Sequence, residues 1–247
     1  MTEKARHVRD YREIENLDGY SRAYFGEEFC QYLIPSAGDV RKALSASERR
    51  GLDFTLLTPY VSESGIKKLS GVLRALPDGT EVVVNDYGVL ELVRDCNLEP
   101  VLGRLLHKFK RDPRISALEK KLPKTAVEHF LSSNLSQDRF RDFLEENGIS
   151  RVEVDNFPIK INSRGWTGHL TLYHPYVYVT TTRYCLTKAY STGDYSIGCD
   201  GRHCRRREFR MRHPSFNVEL LLRGNAVFFK NKRTCKTIKA DRLVEFS

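Results

Sequence analysis

The strongest constraint on how this 247-residue chain can fold is a repeated alternation of short apolar runs with amphipathic helical segments. Phe54-Thr-Leu-Leu-Thr is a nearly continuous apolar run ended by Pro59. From Ser64 onward, Ile66, Leu69, Leu73 and Leu76 recur at the helical period. Pro77-Asp78-Gly79 closes that helix with turn chemistry, and Glu81-Val-Val-Val-Asn follows as the next strand. Asn85-Asp86-Tyr87-Gly88 then opens a helix through Val93 to about Cys96, and Pro100-Val-Leu-Gly is a further strand. Links this short between alternating elements predict parallel strands covered by helices. Ala23-Tyr-Phe-Gly precedes the series as a buried strand, with Glu27-Glu28-Phe29-Cys30 in the loop at its end. The helix after that loop is capped by Asp39 and stopped at Gly51.

The rhythm then changes. Leu105 to Lys121 is basic, holds Pro113, and reads as an insertion or long loop. Ser136 starts an amphipathic helix with Phe140, Phe143 and Leu144 on one face, and Arg151-Val-Glu-Val-Asp is another strand. Leu170-Thr-Leu-Tyr and Val177-Tyr-Val-Thr follow with no helical pattern between them. Val218-Glu-Leu-Leu-Leu and Ala226-Val-Phe-Phe flank Arg223-Gly224-Asn225, an antiparallel hairpin signal. The predicted class is α/β: a TIM-type (β/α) barrel, incomplete or distorted toward its C-terminal end, with a mostly β last third. The length suits one such barrel. No repeat or linker divides the chain, so residues 1–247 read as one domain, with 1–17 as a mobile arm or a helix from Val8 to Ile14.

Three of the six cysteines fall between Cys185 and Cys204, with 13 residues between Cys185 and Cys199 and four between Cys199 and Cys204. Gly193, Gly198 and Gly201 make this stretch pliable, and its polar surroundings are a poor place to bury an inert thiol. Thiolates are soft ligands for zinc or for iron–sulfur clusters. A fourth ligand would come from Cys30, Cys96 or Cys235, of which Cys96, at a helix end, reads as a packed thiol. The charged N-terminal residues lead into no apolar signal segment, and no run approaches the ~20 apolar residues of a membrane span. The expected location is cytoplasmic, with no membrane insertion, where reducing conditions favour metal or redox roles over disulfides.

The formal net charge of +9 is concentrated C-terminally, from Arg202 and Arg205–Arg207 through Arg210 and Arg212 to Lys239. It suits RNA or another polyanion, a solvated face, or counter-charge for an anionic cluster. His107, His169, His174 and His203 lack zinc spacing, and there is no P-loop, Gly-x-Gly-x-x-Gly or Gly-x-Ser-x-Gly motif. Asp86 and Arg104, each just beyond a strand, are placed to contact substrate at a barrel mouth, with a helix cap and a surface ion pair as their structural alternatives.

In order along the chain, Gly26-Glu27-Glu28-Phe29-Cys30, Asn85-Asp86-Tyr87-Gly88-Val89 and Arg183-Tyr184-Cys185-Leu186-Thr187 resemble the peptidase U-thirty-two (U32, collagenase-like) family, over about Tyr24 to Cys204. The resemblance implies a TIM-barrel-like fold and a four-iron four-sulfur (4Fe–4S) cluster on four cysteines. Carried over residue by residue, these include Cys185, Cys199 and Cys204. The branch serving oxygen-independent ubiquinone hydroxylation takes a further ligand from a Gly-Glu-x-x-Cys segment, which matches Cys30. Other members use a cysteine near the domain end, which would be Cys235. The resemblance further implies hydroxylation of a quinone precursor or RNA, in a complex with a second family member. The alternative is a non-catalytic binding module with a structural zinc or iron–sulfur site. Nothing singles out a Cys–His pair for peptidase chemistry, and no catalytic residue is assigned.

Overall fold

A computed structural model describes residues 2–115, 119, 121–159, 161–196, 198–201, 204, 207–232 and 239–246. Eight parallel strands close into a barrel: β1 (Glu3–Val8), β2 (Arg22–Gly26), β3 (Asp53–Leu57), β4 (Glu81–Val84), β5 (Glu99–Leu102), β6 (Arg151–Asp155), β7 (His169–His174) and β12 (Arg242–Glu245). Closure is made by β1, which pairs with β2 on one side (Ala5 opposite Arg22) and β12 on the other (Ala5 opposite Val244). Helices α1 (Ala37–Arg50), α2 (Glu63–Leu73) and α3 (Tyr87–Asp95) follow β2, β3 and β4. The long β5–β6 connection carries α4 (Lys124–Leu131) and α5 (Asp138–Glu146). Between β7 and β12 the chain leaves the barrel to build a four-stranded antiparallel sheet, with β8 (Tyr176–Thr181), β9 (Glu208–Met211), β10 (Leu220–Arg223) and β11 (Ala226–Lys230) in the order β8-β11-β10-β9. A short helix α6 (Leu186–Thr192) lies between β8 and β9. No helix among the described residues is long and apolar enough to cross a membrane.

The structure bears out the fold class and revises two details of it. The α/β barrel with a mostly β last third is as the sequence implied; of the two forms expected for it, incomplete or distorted, the barrel is not incomplete but closed, and among the described residues β6 runs to β7 without a helix. Residues 3–8 are neither arm nor helix but the strand that closes the barrel, followed by a 3-10 turn at Tyr11–Asn16. The strand signal is weak there because the buried positions of β1 include only Ala5, His7 and Val8, set among Glu3, Lys4 and Arg6. Smaller adjustments concern caps: Ser36 caps α1, its hydroxyl accepting the Asp39 amide at 3.1 Å, and Gly51 ends it at φ +62°.

The barrel interior mixes apolar Ala5, Leu57, Val83, Val101 and Val244 with a set of buried polar side chains. Leu56, Val82, Val84, Val152, Val154 and Leu172 face outward, where α1–α3 and α5 cover them. Their alternating neighbours Thr55, Glu81, Glu153, Asp155, Thr171 and Tyr173 are buried as well and share the interior with that apolar set. At the N-terminal end Arg242 donates to Glu81 (2.6 Å), Glu3 (2.6 Å) and the Tyr24 hydroxyl (2.7 Å).

At the C-terminal mouth Arg104, wholly buried, donates to Asp155 (2.9 Å) and makes a two-pronged contact with Glu28. Its guanidinium lies 3.9 Å from the centre of the Tyr173 ring and 4.8 Å from that of Phe246. Arg111 holds the other Asp155 oxygen at 2.9 Å, and the Tyr178 amide donates to the first at 3.1 Å. Burial works against the charge of Arg104, but Glu28 and Asp155 outweigh it and hold the guanidinium protonated. Burial also opposes ionisation of Asp155, yet Arg104 and Arg111 bring its pKa below the usual range, whereas at Glu28 burial prevails and the pKa rises. Phe29, Phe228 and Phe246 pack over this group, so the small sheet stoppers the barrel. Arg104→Met leaves buried Glu28 without its cation and Asp155 with Arg111 alone, and is expected to cost about 3–5 kcal/mol in urea unfolding at pH 7. A loss below about 1 kcal/mol, the range of an exposed ion pair, would contradict this placement.

Candidate functional site

Two segments far apart in sequence meet at the rim of the stoppered mouth. The first is the loop after β2, where Gly26 takes φ +128° and any side chain there would strike the Leu57 carbonyl. Glu28 of this loop is gripped by Arg104, which fixes the course of the backbone two residues before Cys30. The second is the excursion between β8 and β9, which carries Cys185, Cys199 and Cys204. Cys185 caps α6, its sulfur accepting the Lys188 amide at 3.3 Å. Lys188 turns its ammonium to Ser196 Oγ (2.8 Å) and Asp194 (2.6 Å), which ties down the loop leading to Cys199. Gly201 is buried at φ +73°, and a Cβ there would come within 2.9 Å of Leu33, so this loop is seated on the turn after Cys30.

Asn225, in the β10–β11 turn, joins the two segments. Its amide nitrogen reaches the Phe29 carbonyl (2.6 Å), the Thr182 carbonyl (2.8 Å) and the Tyr60 hydroxyl (3.2 Å). Its own carbonyl accepts the Thr182 amide at 3.0 Å, and the neighbouring Gly224 carbonyl accepts that of Thr187 at 3.1 Å. Sequence reasoning found this hairpin but missed its role. The only available signal was a Gly-Asn turn, which is explained locally by backbone conformation.

The four thiols sense one another. Burial pushes the Cys30 thiol up to about 12, with Glu27, Cys204 and Cys185 adding to the shift. Burial again leads at Cys204, raised to about 11 with help from Cys185 and Cys199, and at Cys185, also raised. Backbone amides work the other way: Tyr32 on Cys30, Lys188 on Cys185. The Gly201 amide donates to Cys199 at 3.4 Å. All four sulfurs are half-buried and free. As the side chains stand, no three His, Cys, Asp or Glu residues among those described are drawn together closely enough to grip a metal ion. Cys30 and Cys185 lie in the wall between two clefts. One, of about 950 Å³, also presents Cys204, Glu27, Arg9 and Arg207; the other, of about 260 Å³, presents Tyr60 and Arg183.

The other predicted residues lie elsewhere. Arg104 does not face a cleft: it is sealed between Glu28 and Asp155 and has no surface for a substrate. Asp86 caps α3, with one oxygen on the Gly88 amide (2.8 Å) and the other on the Val61 amide (3.2 Å), so both are occupied by the backbone. Cys96 ends α3 and packs against the helix-covered core. His107 is buried with neither ring nitrogen bonded, and burial holds it neutral down to about 3. His169 pairs with Asp241. Cys235, His203, Arg202, Arg205 and Arg206 lie outside the described residues.

No protein-family model matches the chain, and no curated protein matches it. Among solved structures a U32 peptidase is similar, at 15% identity and a TM-score of 0.51, covering 100% of this chain and 93% of that one. A 3-dehydroquinate dehydratase from Geobacillus kaustophilus HTA426 is similar at 12% identity and TM-score 0.39, over 71% of this chain and 74% of that one. A GH18 chitinase from Cycas revoluta is similar at 9% and 0.32, over 98% and 94%. The chain has a U32 peptidase-like fold. At 15% identity the likeness shows the fold alone.

Asn225→Leu removes a donor from two carbonyls at once and should loosen the Cys30 and Cys185 segments from each other. The expected result is a stability loss of about 1–3 kcal/mol and a lower yield of Cys30–Cys185 cross-link with a short bifunctional thiol reagent. An undiminished yield would contradict the role of Asn225 as the clasp.

Proposed function

We propose that the chain is an iron–sulfur protein whose Cys30, Cys185, Cys199 and Cys204 hold a 4Fe–4S cluster, and that it serves an oxygen-independent hydroxylation. The observation that carries this reading is that four thiols from two segments more than 150 residues apart in the 247-residue chain come near enough for the charge of one to bear on another. Four thiolates drawn together would repel, and a cationic centre between them would convert that repulsion into attraction. The residues fit such a group chemically, since thiolates are the ligands that iron–sulfur clusters require. Amide hydrogen bonds to Cys30, Cys185 and Cys199 are of the kind that stabilise thiolate charge and tune such a centre. When bound, the cluster would supply one-electron chemistry.

The chain's own residues define the rest of the site. Glu27, buried and paired with Arg9 at 3.1 Å, brings a carboxylate to the thiols from the larger cleft. Arg207 adds a cation with no ion-pair partner among the described residues, which suits an anionic substrate. The fold's likeness to a U32 peptidase is consistent with the family resemblance of the three sequence segments, on which the hydroxylation rests. A quinone precursor or RNA as acceptor, and a second family member as partner, belong to the same proposal. The second reading is a zinc-stapled binding module on the same four thiols.

Anaerobic purification is expected to give a brown protein with about four irons per chain. Cys30→Ser should lose the iron, while Cys96→Ser and Cys235→Ser should keep it. A colourless protein with stoichiometric zinc, or iron lost only in Cys235→Ser, would sink the assignment. Ligation must release the protons held by thiols raised to about 11 and 12. Below those values affinity therefore rises with pH, by up to about tenfold per unit for each proton released. Affinity that is flat between pH 6.5 and 8.5 would contradict protonated thiols in the metal-free chain.

A further inference from the structure

One buried carboxyl group stands outside the charge balance of the barrel interior. Glu153 lies midway along β6, wholly buried, opposite Thr171 of β7. Neither of its oxygens has a hydrogen-bond partner, and no cation among the described residues pairs with it. The Tyr173 hydroxyl, likewise unbonded, is near enough to act on it. The arginines around it are already matched. At the mouth Arg104 and Arg111 answer Glu28 and Asp155, and at the other end Arg242 and Arg22 answer Glu81 and Glu3. An ionised Glu153 would be a surplus negative charge inside the barrel, a state that a buried carboxyl group avoids by taking up a proton.

The groups that face Glu153 bear this out. Tyr24 of β2, Glu81 of β4 and Tyr173 of β7 come from the strands, and Glu28 and Arg104 from the mouth. Burial pushes its pKa well above the usual carboxylate range, Glu28 and Glu81 add to the rise, and Tyr173 and Arg104 oppose it. Glu28 is buried and raised as well, but Arg104 reaches both of its oxygens. Of the two acids, the one without a cation keeps the proton.

We propose that Glu153 holds a proton at neutral pH, and that its loss to solvent base on the alkaline side drives Glu28 off Arg104 and frees the loop bearing Cys30. Only the Glu153 O–H bond breaks. The carboxylate left behind competes with Glu28 and Asp155 for a guanidinium that those two already share. Glu153 is fixed in mid-strand, whereas Glu28 lies in the loop after β2, so the loop is the part that yields. Neutral pH keeps the mouth shut and alkaline pH opens it. Nothing in this step requires a metal on the thiols.

Infrared spectroscopy reads the proton directly. At neutral pH the parent should show a protonated-carboxyl stretch that is missing from Glu153→Gln; spectra without that difference overturn the proposal. The folded chain keeps a proton that the unfolded chain loses, so stability falls as pH rises from the ordinary glutamate range toward the raised folded value. Between about pH 5 and about pH 8 the unfolding constant of the parent, relative to Glu153→Gln, should climb by up to about tenfold per unit. Comparison at equal pH cancels the histidines and thiols that both chains share, and a flat ratio overturns the proposal. Glu153→Met, neutral and apolar, should behave as Glu153→Gln does, and carries the test if the amide variant fails to fold. Hydrogen exchange decides the opening. Relative to the variant at the same pH, the amides of Phe29 to Leu33 in the parent should exchange progressively faster as the solution is made alkaline. Equal acceleration in both chains, or opening confined to another segment, overturns the link to the Cys30 loop.

Discussion

The ion cluster of Arg104 with Glu28 and Asp155 is the interaction on which the rest of this molecule depends. It joins the ends of three barrel strands, since Glu28 follows β2, Arg104 follows β5 and Asp155 ends β6. Asp155 also accepts the Tyr178 amide, so the same cluster locates the small sheet above the mouth. A buried cation with two buried carboxyl groups is costly to assemble and more costly to break. Its value here is positional: it determines where the loop bearing Cys30 lies.

A stoppered mouth moves any chemistry to the rim. In a (β/α) barrel the C-terminal face ordinarily presents its loops to substrate around an open centre. Here Phe29, Phe228, Phe246 and Tyr178 occupy that centre, and the clefts open to one side of it, between the β2 loop and the β8–β9 excursion. The insertion between β7 and β12 therefore does two things. It seals the barrel, and it brings Cys185 and Cys204 to the cleft that the barrel's own Cys30 also lines. Asn225 is the hinge between these roles, since it stands in the sheet's own turn and bonds to the barrel's loop.

Much of this was legible in the sequence, and the illegible parts have a common cause. The runs at Phe54, Glu81, Pro100 and Arg151 were readable as strands because their outward valines and leucines pack under helices. The hairpin around Arg223-Gly224-Asn225 and the cysteine trio were equally plain. β1 and β12 were not, because Arg242 and His7 fill inward positions that a pattern reader expects to be apolar. Arg104 looked like a residue for substrate because its partners lie 76 and 51 positions away, a distance across which charge pairing leaves no local trace. Asp86 had two open readings, and the short path from its carboxylate to the Gly88 and Val61 amides shows which oxygen goes where. The approach of the Cys30 loop to the later cysteine segment depends on tertiary contacts through Gly201 and Asn225, which neither segment reveals alone.

In the proposed function the barrel's own loop and the inserted excursion share one metal centre. Its most direct test is a diffraction map at the iron absorption edge from crystals grown without oxygen. An anomalous peak of several irons bounded by the sulfurs of Cys30, Cys185, Cys199 and Cys204 is expected. A peak bounded by Cys235 in place of Cys30, or a lone ion that vanishes below the zinc edge, would contradict it.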